Sequence, residues 1–163
     1  LNEEIAKASI TLVRGTENDI TSFREEGFIG FTNTMISENP FFQMIIKENS
    51  FHMHSFLDTS LEKIGELTKK EENILMAIVP PQAKPTHDFG FSKTEIDLFN
   101  KMIHTKNVVL YFFGNPYALE LFDYKNANAV IMPYQNFNTF QKVAATHFLG
   151  KLAAKGELPV HLK

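Results

Sequence analysis

The sequence predicts an α/β fold, a three-layer αβα sandwich with a mostly parallel sheet in flavodoxin-like layering. Two patterns carry that expectation. The first is Val108-Val109-Leu110-Tyr111-Phe112-Phe113, an apolar, β-branched and aromatic run with no polar alternation, matched by Ile74 to Val79 and Ala129 to Met132. Such runs are strands covered on both faces, as in parallel sheets with helices above and below. The second pattern lies at the carboxyl end of each run, where Pro80-Pro81, Gly114-Asn115-Pro116 and Pro133 break it and helical patterns come next. A proline has no donor for a central ladder but fits the first turn of a helix. Strand, crossover and strand therefore alternate, and right-handed crossovers place helices on both faces.

Taken in order, Asn2 caps a short helix to about Ala8, with Glu3 and Glu4 complementing its dipole. Ile10 to Val13 form a strand that ends at Arg14-Gly15 before a polar loop, Thr16 to Asn18. Phe28 to Phe31 make a second short strand, and Asn39-Pro40 opens a helix that ends near Asn49. Phe51 to Leu57 read as a third strand, nearer an edge, with His52, His54 and Phe56 on one face. Thr59-Ser60-Leu61-Glu62 has the pattern of a capping box for a helix with Leu61, Ile64 and Leu67 on its apolar stripe. After the strand from Ile74 to Val79 comes the longest loop, Gln82 to Gly90, and a long loop at a strand's carboxyl end often carries function. Ser92-Lys93-Thr94-Glu95 is a second capping box, opening a helix with Ile96, Phe99 and Ile103 inward. A short helix from Pro116 to Phe122 follows the central strand. Asn138 and Gln141 are expected to cap the last helix, in which Phe140, Val143, Ala144, His147 and Phe148 share a face up to Gly150.

The totals bound the function. At 163 residues the chain is one domain, 1–163, with room for a full core. It has no cysteine, so it can build neither a disulfide framework nor a thiolate zinc site. A formal charge of -3 with interspersed acids and bases gives no basic stripe, which argues against nucleic acid and membrane partners. The opening Leu1-Asn2-Glu3-Glu4 has neither an initiator Met nor a signal-peptide profile, so the chain reads as a piece of a longer polypeptide.

Each polar candidate has a plainer alternative. His52 and His54, two apart on a strand, could both face a metal, but no third ligand is visible, and no metal or cofactor is expected. His147 lies among apolar neighbours and reads as a core histidine with one nitrogen bonded. His87 and Asp88 sit together in the long loop, although adjacency alone does not align an acid/base pair. Thr32, Thr34 and Ser37 have the hydroxyl spacing of a flavodoxin phosphate loop, without its glycine; a hydroxyl-rich turn is the alternative. Asp58 ends a strand where a receiver phosphoacceptor would sit, but Thr32-Asn33 replaces the acidic pair that would hold Mg²⁺. Among Asp88, Glu95, Asp97, Glu120 and Asp123 no spacing fixes the carboxyl pair that glycoside hydrolysis needs.

Three segments together resemble the C-terminal domain of glycoside hydrolase family 3. They are Ser9-Ile10-Thr11-Leu12-Val13, the turn Gly114-Asn115-Pro116-Tyr117-Ala118-Leu119, and the tail ATHFLGKLAAKGELPV from Ala144 to Val160. The resemblance implies an αβα sandwich packed beside an N-terminal (β/α)8 barrel that carries the nucleophilic aspartate and is absent from this chain. It also implies a carbohydrate substrate met through the parent enzyme and a periplasmic or extracellular location. The Asn115-Pro116-Tyr117 turn looks like the β-N-acetylglucosaminidase branch. The loop from Pro80 to Phe91 has no Glu, and it lacks the pattern by which the β-glucosidase branch supplies an acid/base residue here. No catalytic residue is carried over. Asn115, Pro116, Tyr117, His87 and Asp88 are the expected barrel-facing or substrate-cleft residues, by the rule that open α/β sheets bind ligands at the carboxyl ends of their strands. A flavodoxin-like phosphate or flavin module is the alternative.

Overall fold

A computed structural model describes residues 1–163. Its six-stranded sheet has the order β1-β6-β5-β4-β2-β3. The strands are β1 (Thr11–Arg14), β2 (Ile29–Thr32), β3 (Met53–Ser55), β4 (Asn73–Ile78), β5 (Asn107–Phe112) and β6 (Ala129–Met132). All neighbouring pairs are parallel except β1 with β6, so the sheet is mostly parallel with one antiparallel edge.

The period of two along each strand sorts the core into two halves. Ile74, Met76, Ile78, Val108, Leu110 and Phe112 face α4 (Leu61–Lys70) and α5 (Lys93–Thr105), meeting Ile64, Phe99, Met102 and Ile103. Leu75, Ala77, Val109, Tyr111 and Phe113 face α2 (Glu17–Glu26), α3 (Pro40–Ile45) and α6 (Asn138–Phe148), meeting Phe23, Phe41, Ala145 and Phe148. The N-terminal helix α1 (Asn2–Ser9) packs on α6 through Ala6, Phe140 and Val143. This is the expected sandwich. The segment after α6 returns to the start of β1, where Gly156 N–H donates to Ile10 O at 2.9 Å. A Cβ on Gly156 would lie 2.0 Å from Ser9 O, so only glycine allows that approach.

Several local expectations are corrected. The segment after Gly15 is not a loop: Thr16 and Asp19 form a reciprocal capping box and start α2, with Ile20 and Phe23 buried. The third strand is only Met53–Ser55, and Phe56 to Asp58 form a turn after it. The cap of α4 is Ser60, which accepts from Lys63 N–H, rather than Thr59 paired with Glu62. The first helix has Leu1 at its cap position, and Asn2 is its first residue. In α6 the cap position is Phe137; Gln141 instead ties this helix to α3, its Oε1 accepting from Phe41 N–H at 3.2 Å. The second capping box, Ser92 with Glu95, forms as expected.

Asn33 continues the β2/β4 ladder past its last backbone pair. Its Nδ2 donates to Val79 O at 2.7 Å and its Oδ1 accepts from Val79 N–H at 2.9 Å, so the side-chain amide stands in for a strand. Asn33→Ala should lower the unfolding free energy by about 1–3 kcal/mol, because it strands both groups of Val79. Urea denaturation would check this, and an unchanged midpoint would show that water replaces the amide.

Candidate functional site: a cleft at the carboxyl ends of the strands

The parallel strands β4, β5 and β6 run out side by side, and the loops beyond them enclose a cleft of about 650 Å³. Its floor is Phe113 and Gly114. A Cβ on Gly114 would sit 2.5 Å from Pro80 Cγ, so this glycine serves close packing of the β4 and β5 loops rather than an unusual φ. One wall is Pro81 and Gln82. The opposite wall is Tyr134, Gln135 and Asn136, and Asn115, Pro116 and Tyr117 close the front.

The front is built by the turn after β5. Asn115 Oδ1 accepts from Tyr117 N–H at 2.9 Å and caps a 3₁₀ helix, Pro116–Leu121, whose Ala118 and Leu119 are buried in the core. That anchoring leaves Tyr117 exposed at the mouth. No charged side chain lines the cleft: it offers the amides of Gln82, Asn115, Gln135 and Asn136 with the rings of two tyrosines. Amides supply donors and acceptors without charge, and aromatic faces supply apolar area with a polar tip.

The five expected site residues thus divide. Asn115, Pro116 and Tyr117 line the cleft; His87 and Asp88 do not. These two are exposed at the start of a turn in which His87, Asp88 and Phe89 all take left-handed φ values of 54°, 52° and 56°. What the long loop contributes to the cleft is its start, Gln82 and Ala83, rather than His87 and Asp88.

Other candidates lie outside the cleft. Thr32 Oγ1 accepts from Thr34 N–H and Asn39 Nδ2–H, both at 3.2 Å, so the hydroxyl loop is bonded to itself as an ordinary turn. His54 lies tilted against Phe31 with ring centroids 5.2 Å apart, and no group of three His, Asp or Glu converges to hold a metal. Burial, then His52 and Lys63, push the His54 imidazole below its ordinary 6.5. A folded value below the unfolded one means that the unfolded chain binds the proton first. Stability from His54 is therefore complete above about pH 6.5 and is lost as pH falls toward the depressed value. His54→Gln should flatten that acid limb in urea unfolding at pH 5 and pH 7.5.

Two imidazole–carboxylate pairs were not legible in sequence. His104 Nε2 meets Asp123 Oδ2 on an exposed face, and His147 meets both Glu17 Oε1 at 2.6 Å and the Tyr111 hydroxyl at 2.7 Å. His147 therefore has both nitrogens bonded, one more than expected.

No helix is long and apolar enough to cross a membrane. No protein-family model and no curated protein matches the chain. Solved structures do. Over 98% of its length the chain follows a β-glucoside phosphorylase, BglX, bound to 2FGlc, with a TM-score of 0.72 and 20% identity, spanning 30% of that protein. Over 96% it follows a glycoside hydrolase family 3 β-N-acetylglucosaminidase from Paenibacillus sp. str. FPU-7, with a TM-score of 0.70 and 15% identity, spanning 31% of that protein. A family 3 β-glucosidase from Neurospora crassa matches over 91% of this chain and 23% of its own, with a TM-score of 0.60 and 9% identity. The chain thus spans under a third of each of these proteins. What it shares with them is the fold: the αβα sandwich expected from its sequence recurs as one part of these longer proteins, two of which are family 3 glycosidases.

Proposed function

We propose that this chain is the non-catalytic αβα domain of a family 3 glycoside hydrolase, packed beside an N-terminal (β/α)8 barrel of the same polypeptide. The parent hydrolyses β-glycosidic bonds, of N-acetyl-β-glucosaminides in the branch favoured by the Asn115-Pro116-Tyr117 turn, or of β-glucosides in the other. The carrying observation is that nearly all of this chain, but only part of each neighbour, is matched.

The carboxyl rim supports the arrangement. Met35, Leu57, Tyr117 and Phe137 are large, apolar and exposed, and each stands within a few residues past the carboxyl end of a parallel strand. Apolar side chains gathered on one rim are what a covering partner would bury. The uncharged cleft sits on the same rim and suits a carbohydrate, and a sheet's carboxyl ends are where open α/β folds place ligand contacts. In the hydroxyl loop that the flavodoxin-like alternative requires, Thr32 and Thr34 already spend their hydroxyls on each other and on Asn39.

A paired assay of this chain and its longer parent on chromogenic N-acetyl-β-glucosaminide and β-glucoside tests the proposal. An active parent with an inert 163-residue chain is the expected result, and the preferred sugar assigns the branch. Activity in the isolated chain would overturn the non-catalytic role, and inactivity of both would overturn the glycosidase reading.

A further inference from the structure

The four non-glycine residues with left-handed backbones all lie at the carboxyl rim, on two sides of the cleft: His87, Asp88 and Phe89 after β4, and Tyr134, at φ 73°, after β6. Side chains enter that region at a cost, and residues persist there only where their surroundings hold them; ligand clamps are a recurrent setting. Here the surroundings are explicit. Phe89 and Phe91 are buried in the α5 layer, Phe91 against Phe122 with ring centroids 5.2 Å apart. Gly90 N–H donates to His87 O at 2.9 Å, and Gln82 N–H donates to Phe89 O at 2.9 Å.

The turn backs directly onto the cleft wall. Gly90 has φ +87°, and a Cβ there would come within 2.9 Å of both Pro81 Cβ and Gln82 Cγ. Across the cleft, Gln135 N–H donates to Pro133 O at 3.0 Å, closing a three-residue turn around Tyr134, whose hydroxyl is 2.6 Å from Thr11 Oγ1. Both walls are thus fixed by backbone that is costly to form. Gln82 stands on the braced wall with its side-chain amide exposed and unbonded within the chain.

We infer that the left-handed turn His87–Gly90 is a brace, and that Gln82 is the specificity-determining residue it positions, presenting one acceptor and two donors to the hydroxyls of an uncharged sugar unit in the cleft. This rests on the proposed function for the class of ligand. The neutral lining selects against phosphate or a uronate, since no cation faces the cleft to replace an anion's hydration. The exposed side chains of His87 and Asp88 are dispensable on this account; only their backbone conformation matters, and glycine adopts it without penalty.

The test is an NMR titration of the isotope-labelled 163-residue chain with N,N′-diacetylchitobiose, with cellobiose and, separately, with inorganic phosphate. The expected result is a saturable shift of the Gln82 side-chain amide with at least one of the two sugars and none with phosphate. Gln82→Met, which keeps length and volume at an exposed position, should weaken sugar binding about tenfold, a loss of about 1.4 kcal/mol. Gly90→Ala should weaken it similarly by pushing the wall, with a dispersed amide spectrum confirming the fold. No shift with either sugar, unchanged affinity in Gln82→Met, or a shift of Gln82 with phosphate would each overturn the inference. An active parent with a silent cleft would sink the inference alone, and an inactive parent with a sugar-binding cleft would sink the glycosidase reading alone.

Discussion

Phe148→Ala is expected to lower the unfolding free energy by about 3–5 kcal/mol, the range for emptying a fully buried aromatic site. Phe148 is 0% exposed and belongs to the last turn of α6, yet its ring reaches most of the elements on that face of the sheet. It stands edge-on to Phe28 at 5.2 Å, Tyr111 at 6.1 Å, Phe23 at 6.2 Å and Phe41 at 6.4 Å. Its neighbours come from α2, α3, β5 and the approach to β2, so no single element can move in to fill the space without disturbing the others. Its backbone oxygen also accepts from Arg24 Nη1 at 2.6 Å, which holds α2 against the end of α6. Urea denaturation of the isolated chain measures the loss. A cost below about 1.5 kcal/mol would mean that the site collapses freely, which interlocking aromatic rings should prevent.

This core was legible because buried parallel strands and amphipathic helices leave strong periodic signals. The runs at β4, β5 and β6 and the Ser92–Glu95 cap each depend on neighbours within a few residues. The missed helix α2 also carried a local signal, Thr16 and Asp19 at capping distance with Ile20 and Phe23 inward, but Asp occupied the position where Glu or Gln marks a capping box. The cleft was only half legible. Asn115, Pro116 and Tyr117 announce a turn through their own chemistry, whereas the placement of Gln82 on the cleft wall depends on a later stretch of the loop, His87–Gly90, that folds back behind it. Three consecutive left-handed residues other than glycine run against every local preference, so propensity could not foresee them. The same holds for Asn33, whose amide meets Val79 across 46 residues, and for His147, whose carboxylate partner lies 130 residues away.

His147→Leu is expected to cost about 2–4 kcal/mol, mostly through groups it leaves behind. His147 is 2% exposed, and both ring nitrogens are bonded: Nε2–H donates to Glu17 Oε1, and Nδ1 shares a hydrogen bond with the Tyr111 hydroxyl. One imidazole thereby joins α2, α6 and the central strand β5. A leucine fills similar volume but leaves the Tyr111 hydroxyl buried without a hydrogen-bond partner, since no other group reaches it. Removing both ends avoids that penalty, so His147→Leu combined with Tyr111→Phe should cost about 1 kcal/mol less than the two single losses added. Alkali gives an independent reading of the same contact. Burial, then Glu17, raise the Tyr111 phenol well above its ordinary 10, with Arg24 partly opposing. The unfolded chain releases the phenolic proton first, so this contribution is complete below about pH 10 and is lost as pH rises toward the raised folded value. Unfolding curves taken between pH 9 and pH 11 should fall more steeply for the wild-type chain than for Tyr111→Phe. Equal slopes would mean that the phenol is not held in a dry, hydrogen-bonded site, and the His147 bridge would then have to be weaker than its distances imply.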